Sequence, residues 1–259
     1  MSQTRVALVT GSVSGIGLAT ARQLIAAGFA VALHSESTTE AIPEPARKLL
    51  SENPAHTSYH TADFKYPELA AGNLARQVLA RWGRLDLLVS NAGTTHHAEL
   101  AEVSEADWQR VLSVNLLAPY FLVQAAAEAL EAAQGCVVMV SSTNANRVNH
   151  KNLLYDTSKA ALNHLARGLA LELRPRGVRV NTVMPGGTRS PMLETWLRDY
   201  APADQTPDQL MDAEQRAGRL ASPEQVAAAV LLLADPRAEW ITGTAIEADG
   251  GVHLGEYWP

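Results

Sequence analysis

The sequence predicts an α/β protein, a mostly parallel sheet between two layers of helix, and two observations carry that prediction. Short apolar runs rich in β-branched residues alternate with longer stretches of helical period along the chain, the pattern of repeated strand, crossover helix and parallel strand. The runs that begin at Val6, Leu85 and Cys136 are apolar at consecutive positions, as expected of strands covered on both faces. No internal repeat and no Gly/Pro/Ser-rich linker interrupts the series, so residues 1–259 are expected to form a single domain.

Taken in order, strands are expected near residues 5–10, 29–34, 57–60, 85–90, 136–141, 178–184 and 244–248, with helices between them. The first, Val6-Ala7-Leu8-Val9-Thr10, runs into a glycine-rich turn and then a helix marked by Leu18, Ala21, Leu24 and Ile25. The fifth, Cys136-Val137-Val138-Met139-Val140, precedes a polar loop and a strongly helical segment opened by Tyr155. The least regular stretch is 185–222, punctuated by Pro185, Gly186, Gly187, Pro191, Pro202 and Pro207. An insertion of this kind in a compact domain is expected to be a substrate lid, here around 187–218.

Composition narrows the function. With 47% hydrophobic and 19% charged residues, the chain can bury a large core, which excludes disorder and collagen-like structure. The balance of 21 Lys+Arg against 27 Asp+Glu gives a net charge of −6, so no global basic field exists to hold nucleic acid or an anionic membrane. No uninterrupted apolar stretch reaches the ~18 residues of a membrane span. Met1-Ser2-Gln3-Thr4-Arg5 lacks the basic-then-apolar pattern of a secretory leader, and the expectation is a soluble, cytoplasmic protein. The single cysteine, Cys136, can build neither a disulfide framework nor a Cys-based zinc site within one chain. His96 and His97 are adjacent but lack a third ligand, so no metal site is expected.

Two constellations carry chemistry. The first is Thr10-Gly11-Ser12-Val13-Ser14-Gly15-Ile16-Gly17, between the first strand and its helix. Glycines there let the backbone turn sharply and approach a pyrophosphate, while the N–H groups and dipole at the helix start attract its charge. A glycine trio alone fits an ordinary tight turn as well, and the spacing Gly-x-x-x-Gly-x-Gly departs from the broader dinucleotide fingerprint.

The second is Ser142 with Tyr155 and Lys159. The last two stand at i and i+4 of a helical segment and share one face. Ser142 follows the fifth strand, at the edge where open parallel sheets bind ligands. A phenol with a reference pKa of ~10 needs ~4 kcal/mol of preferential phenolate stabilisation to reach ~7. An ammonium ~4 Å away supplies ~4 kcal/mol at an effective dielectric of ~20. Lys159 together with a cationic nicotinamide is therefore expected to tune Tyr155 as acid and base at neutral pH, with Ser142 holding the substrate oxygen.

These motifs resemble those of the short-chain dehydrogenase/reductase family over nearly the whole chain. Thr10 to Gly17 is similar to its cofactor turn, and Ser90-Asn91-Ala92-Gly93 to its Asn-Asn-Ala-Gly segment with the first Asn replaced. Asn115 matches its catalytic asparagine, Pro185-Gly186 its Pro-Gly turn, and Ile241-Thr242-Gly243 and Asp249-Gly250-Gly251 its C-terminal signature. The resemblance implies a Rossmann-type, doubly wound parallel sheet of seven strands with helices on both faces, NAD or NADP, hydride transfer between alcohol and carbonyl, and a homotetramer or homodimer. It implies catalytic roles for Asn115, Ser142, Tyr155 and Lys159, with Asn115 supporting a water in a proton relay. Pro119, four residues on, has no N–H to give the Asn115 carbonyl, though a simple packing kink accounts for it equally well.

For the cofactor the resemblance implies Gly11, Ser14, Gly15, Ile16 and Gly17 at the turn, and Asn91, Ala92 and Gly93 after the fourth strand. It places Asp63 at the adenine, Tyr155 and Lys159 at the nicotinamide ribose, Pro185 and Gly186 at the turn after the sixth strand, and Thr188 and Ser190 at the carboxamide. Ser35 and Glu36 stand where family members select between NAD and NADP. No lysine or arginine lies in Thr10 to Gly17 or Leu33 to Ser37, whereas a 2′-phosphate favours a cationic partner; NAD is favoured over NADP.

The loops expected around the reacting carbon are polar, and Thr95, His96, Asn144, Arg147, His150, Lys151, Gly187 and Trp196 are the candidate substrate contacts. Few large aliphatic side chains stand there, which points away from a steroid or long acyl chain. The leading expectation is a sugar or polyol, with an acidic group to meet Arg147, His150 or Lys151. A 3-oxoacyl-[acyl-carrier-protein] reductase and a non-enzymatic nicotinamide sensor are the alternatives.

Overall fold

The computed structural model describes residues 4–200, 202 and 204–255, with the side chains of 199 and 200 excepted. Residues 1–3, read above for a leader, and residues 201 and 203 of the expected lid lie outside the described residues. Seven parallel strands form one sheet in the order β3-β2-β1-β4-β5-β6-β7. They are β1 (Val6–Val9), β2 (Ala30–Ser35), β3 (Thr57–Thr61), β4 (Leu87–Ser90), β5 (Cys136–Val140), β6 (Arg179–Pro185) and β7 (Ala245–Ala248). The doubly wound, Rossmann-type sheet expected from the sequence is the one observed.

Alternation along β1 shows why its residues are apolar without interruption. Val6 and Leu8 enter the core beneath α3 (Pro67–Trp82), α5 (Ala118–Ala133) and α6 (Leu153–Leu173), whereas Ala7 and Val9 enter the opposite core beneath α1 (Gly15–Ala26), α2 (Glu44–Glu52) and α9 (Pro223–Ala234). Successive strand side chains point to opposite faces, so a two-faced core needs every position apolar. Strand β4 starts two residues later than the sequence suggests. The reason is Asp86, whose carboxylate accepts the Val6 N–H at 2.8 Å and pairs with Arg84 at 2.6 Å.

The strand order reverses beside β1, between β1 and β4. There the loops after the two strands diverge and leave a crevice at their carboxyl ends. The segment preceding α5 is α4 (Glu105–Leu112), continued through a π-helical turn at Ser113–Leu117. The rod from Glu105 to Ala133 has the length and hydropathy of a membrane span, yet its Ala118, Leu122, Val123, Ala126 and Leu130 are buried in the core.

The stretch read as least regular folds largely into helices. α7 (Pro191–Tyr200) and α8 (Pro207–Arg216) each carry proline at their first position, and so does α9. Proline is accommodated there because that position has no intrahelical N–H bond to lose. Thr206 and Ser222 cap α8 and α9 by accepting the N–H of Gln209 and Gln225. Both ends of the excursion meet: Arg189 N–H donates to Ala221 O and Ala221 N–H to Gly187 O, each at 2.9 Å. Arg189 also pairs with Asp208 and Asp212 of α8.

Candidate active site

The turn after β1 is built from contacts that only glycine permits. Gly11 has φ +60°, and a Cβ on it would stand 2.9 Å from Ala92 Cα. A Cβ on Gly17 would stand 2.2 Å from the Gly11 carbonyl oxygen, so Gly17 backs the turn instead of lining the crevice. Asn91 Nδ2 donates to the carbonyls of Thr10 and Gly11 at 2.9 and 3.0 Å, while Thr10 Oγ1 accepts the N–H groups of Asn91 and Ala92. The loops after β1 and β4 are thereby locked to each other.

His34, which the sequence reading left unassigned, supports this turn from below. Its Nδ1 accepts the Gly11 N–H at 3.2 Å, its Nε2 donates to Ala62 O at 3.0 Å, and its ring stacks on Phe64. Burial pushes its pKa down to about 4, so the ring is neutral at physiological pH, with the proton on Nε2 as the two bonds require.

The reacting end is organised by β5 and α6. Ser141 Oγ donates to Lys159 O at 3.1 Å, fixing the strand end to the helix. Ser142 then starts a 3₁₀ turn, its Oγ accepting the Asn144 N–H, and its hydroxyl acts on Tyr155 in the direction that favours the ionised phenol. Lys159 donates from Nζ to Val140 O at 3.0 Å and lies 5.6 Å from the Tyr155 ring centroid. Buried Asp156 ties the polar loop to α6: it accepts from Asn144 Nδ2 (2.7 Å), Asn149 N–H (2.7 Å) and Asn152 Nδ2 (2.6 Å). Its position beside Tyr155 in the first helical turn was the available sequence signal, since carboxylates favour that location.

The electrostatics of Tyr155 and Lys159 differ from the expected tuning. Tyr155 is pushed up to about 12, chiefly by burial, with the Ser142 hydrogen bond pulling the other way. Burial also pushes Lys159 down to about 8. Lys159 Nζ lies 5.6 Å from the ring centroid, and desolvation of the phenol outweighs any favour to its ionised form, so the phenol is protonated.

One cavity of about 460 Å³ joins the two constellations. Gly11, Ser14, Gly15, Ile16, Asn91, Ala92 and Gly93 line one part, and Ser142, Tyr155 and Lys159 line another, with Pro185, Gly186, Gly187, Thr188 and Ser190 along the wall. A Cβ on Gly186 would stand 2.5 Å from Asp249 Cβ, which is why the turn after β6 needs glycine. The glycine cradle and the α1 start, whose Gly15 and Ile16 line the cavity, suit a dinucleotide's pyrophosphate; the residues present fit the group. Asn115 is fully buried behind Gly93. Its Oδ1 accepts the Thr94 N–H at 2.8 Å, and its Nδ2 donates to Thr94 O and Ser158 Oγ at 2.9 Å.

Ser35, Glu36 and Asp63 stand at the ends of β2 and β3, on the same carboxyl edge, but do not line the cavity. Ser35 Oγ is engaged with Tyr59 Oη at 2.6 Å and accepts the Ser37 N–H. Glu36 and Asp63 are exposed.

Among the substrate candidates, Thr95, Asn144, Arg147, Gly187 and Trp196 line the cavity. Three do not. His96 turns to α4, where Arg110 donates to its Nδ1 at 2.9 Å and Asp107 lies 3.6 Å away. Lys151 pairs with Glu99 at 2.7 Å, and exposed His150 lies 4.0 Å from the same carboxylate. Both side chains thus lie toward Glu99 and outside the cavity lining. His97 takes the inward place and packs on Trp196, with ring centroids 6.0 Å apart. Met192 and Leu193 of α7 also line the cavity, apolar surface that a polar reading of the lid did not anticipate.

A glycine-lined switch point sharing a cavity with a serine, a tyrosine and a lysine defines a nicotinamide-dependent oxidoreductase working between alcohol and carbonyl. A family model described as enoyl-(acyl carrier protein) reductase matches residues 11–253. The chain belongs to the short-chain dehydrogenase/reductase family. It is 30% identical to an acetoacetyl-CoA reductase of Acinetobacter sp., over 98% of this chain and 100% of that one. A solved short-chain dehydrogenase from Burkholderia cenocepacia in complex with NADP is 34% identical, with a TM-score of 0.81 over 97% of this chain and 98% of that one. The ligand-free aldohexose dehydrogenase of Thermoplasma acidophilum is 25% identical, with a TM-score of 0.85 over 99% and 97%.

Proposed function

We propose that this enzyme interconverts a secondary alcohol and its ketone on a small, polar, hydroxylated substrate of the sugar or polyol type, with NAD favoured over NADP. The observation that carries this reading is the lining of the cavity that holds Tyr155. Thr95, His97, Asn144, Arg147, Asn149 and Asn152 supply polar groups there, beside Met192, Leu193 and Trp196. Absence of a cation from Leu33 to Ser37, with exposed Glu36 at the end of β2, supports NAD. Cytoplasmic action as a homotetramer or homodimer belongs to the same reading.

Bound nicotinamide supplies or accepts the hydride. Ser14, Gly15 and Ile16 would hold its pyrophosphate, Thr188 and Ser190 its carboxamide, Lys159 its ribose. Ser142 Oγ orients the substrate oxygen, and Tyr155 Oη gives that oxygen a proton in reduction and takes it back in oxidation. Reduction suits the phenol as found, protonated and with pKa about 12. For oxidation the buried phenol has to be lowered from about 12, and positive charge on a bound oxidised nicotinamide would favour the phenolate. Asn115 acts through its carbonyl, whose usual helical donor is replaced by Pro119. Tyr155 and Lys159 together argue against a sensor.

A second reading, reduction of a 3-oxoacyl thioester, draws support from the acetoacetyl-CoA reductase relative. Screening the purified protein against sugars, polyols and a β-ketoacyl thioester, with each nicotinamide followed at its near-ultraviolet absorbance, separates the two. Turnover of a sugar or polyol with NAD is expected. Turnover confined to the thioester with NADPH would overturn the proposal.

A further inference from the structure

The cavity is electrostatically unlike the rest of the molecule. The chain carries 27 Asp+Glu and a net charge of −6, yet among the described residues no carboxylate lines the cavity, whereas Arg147 and Lys159 do. Lys159 is committed to Val140 O and stands beside Tyr155. Other cations of the surrounding loops are paired: Lys151 with Glu99, Arg110 with Asp107, Arg189 with Asp208 and Asp212. Arg147 has no ion pair or hydrogen bond among the described residues. It lies five residues beyond Ser142, is exposed, and lines the cavity.

The nearest acid in sequence, Asp156, cannot neutralise it, because three donors of the same loop already occupy its two oxygens. That carboxylate has a second effect. By holding Asn152 Nδ2 at 2.6 Å it fixes the amide's orientation, and Asn152 Oδ1 is left buried without a hydrogen-bond partner beside the cavity. A buried acceptor without a donor is a cost that a ligand hydroxyl relieves.

We propose that the substrate is a hydroxylated acid, interconverted between hydroxy and oxo forms, whose carboxylate is received by the Arg147 guanidinium while a further hydroxyl donates to Asn152. This rests on the reading of the cavity as the site of alcohol–carbonyl chemistry and narrows its substrate class. A guanidinium presents parallel N–H donors that match two carboxylate oxygens, and a cleft lined by one sign of charge concentrates the opposite ion.

The test compares the wild type with Arg147→Gln and Arg147→Lys on matched pairs: 3-hydroxybutyrate and its methyl ester, gluconate and glucose, with glucose 6-phosphate as a phosphate arm. In any pair turned over, the acid is expected to be preferred by at least ~10-fold in kcat/KM. Arg147→Gln should erase that preference by raising KM for the acid at least ~10-fold more than for its neutral partner, and Arg147→Lys should retain part of it. Equal use of acid and ester, or an equal loss on both in Arg147→Gln, would overturn the assignment; so would preference for the phosphate over the carboxylate. A binding readout needs no turnover: malonate titrated into the protein with NADH should quench Trp196 fluorescence saturably, and Arg147→Gln should abolish the response. An unchanged response would contradict the role of Arg147. Absence of turnover on every compound would instead reject the oxidoreductase reading of the cavity, while the malonate titration still decides for or against Arg147.

Discussion

Asn115 and Ser158, 43 residues apart in the chain, share a hydrogen bond of 2.9 Å that fastens the π-helical turn to the helix carrying Tyr155 and Lys159. Ser158 Oγ passes the contact on to Tyr155 O at 2.7 Å. The remaining amide capacity of Asn115 holds the Thr94 backbone. Its side chain therefore positions the catalytic helix.

Replacing Asn115 by alanine strands buried donors and acceptors on Thr94 and Ser158. At ~1–3 kcal/mol for each unsatisfied buried group, a stability loss of about 3 kcal/mol is expected in urea denaturation. A change below ~0.5 kcal/mol would show that the network is replaceable by water.

His34 gives the fold an acid limit. Its pKa is lowered from 6.5 to about 4 in the folded protein, so between these values the unfolded chain binds more protons, and stability falls as pH falls. The sign follows from linkage: the contribution is fully present above 6.5 and is lost on descending toward 4, amounting to about 3 kcal/mol. His34→Asn should flatten the dependence of the urea midpoint on pH in that window. A wild-type midpoint constant from pH 7 to 4.5 would refute it.

How far the sequence revealed this molecule depended on the range of the interaction. β1, β5 and the turn between β1 and α1 were legible because each is a local pattern: an apolar run, then glycines, then a helical period. Tyr155 and Lys159 were legible because one helical turn brings them together. His34 was not, since it acts through Gly11 and Ala62, which only tertiary folding brings near; Asp156, whose partners lie 4 to 12 residues away, left a local signal in the first turn of α6 that went unused. The stretch 185–222 reads as the least regular in sequence, yet Pro191 and Pro207 in it start helices. His96 and His97 are adjacent in sequence, and only the packing of α4 against one and of Trp196 against the other decides which faces the cavity.

Cofactor choice is testable at Glu36. A carboxylate at the end of β2 repels a 2′-phosphate, and a guanidinium attracts it. Glu36→Arg should shift the NAD/NADP ratio of kcat/KM toward NADP by at least ~10-fold. An unaltered ratio would remove Glu36 from the selection.

In the proposed reaction Tyr155 is the group that exchanges a proton with the substrate. Tyr155→Phe keeps the ring and removes the hydroxyl, so turnover should fall at least ~100-fold while NADH binding, followed by fluorescence titration, stays within about twofold. Undiminished turnover in that variant would contradict the mechanism.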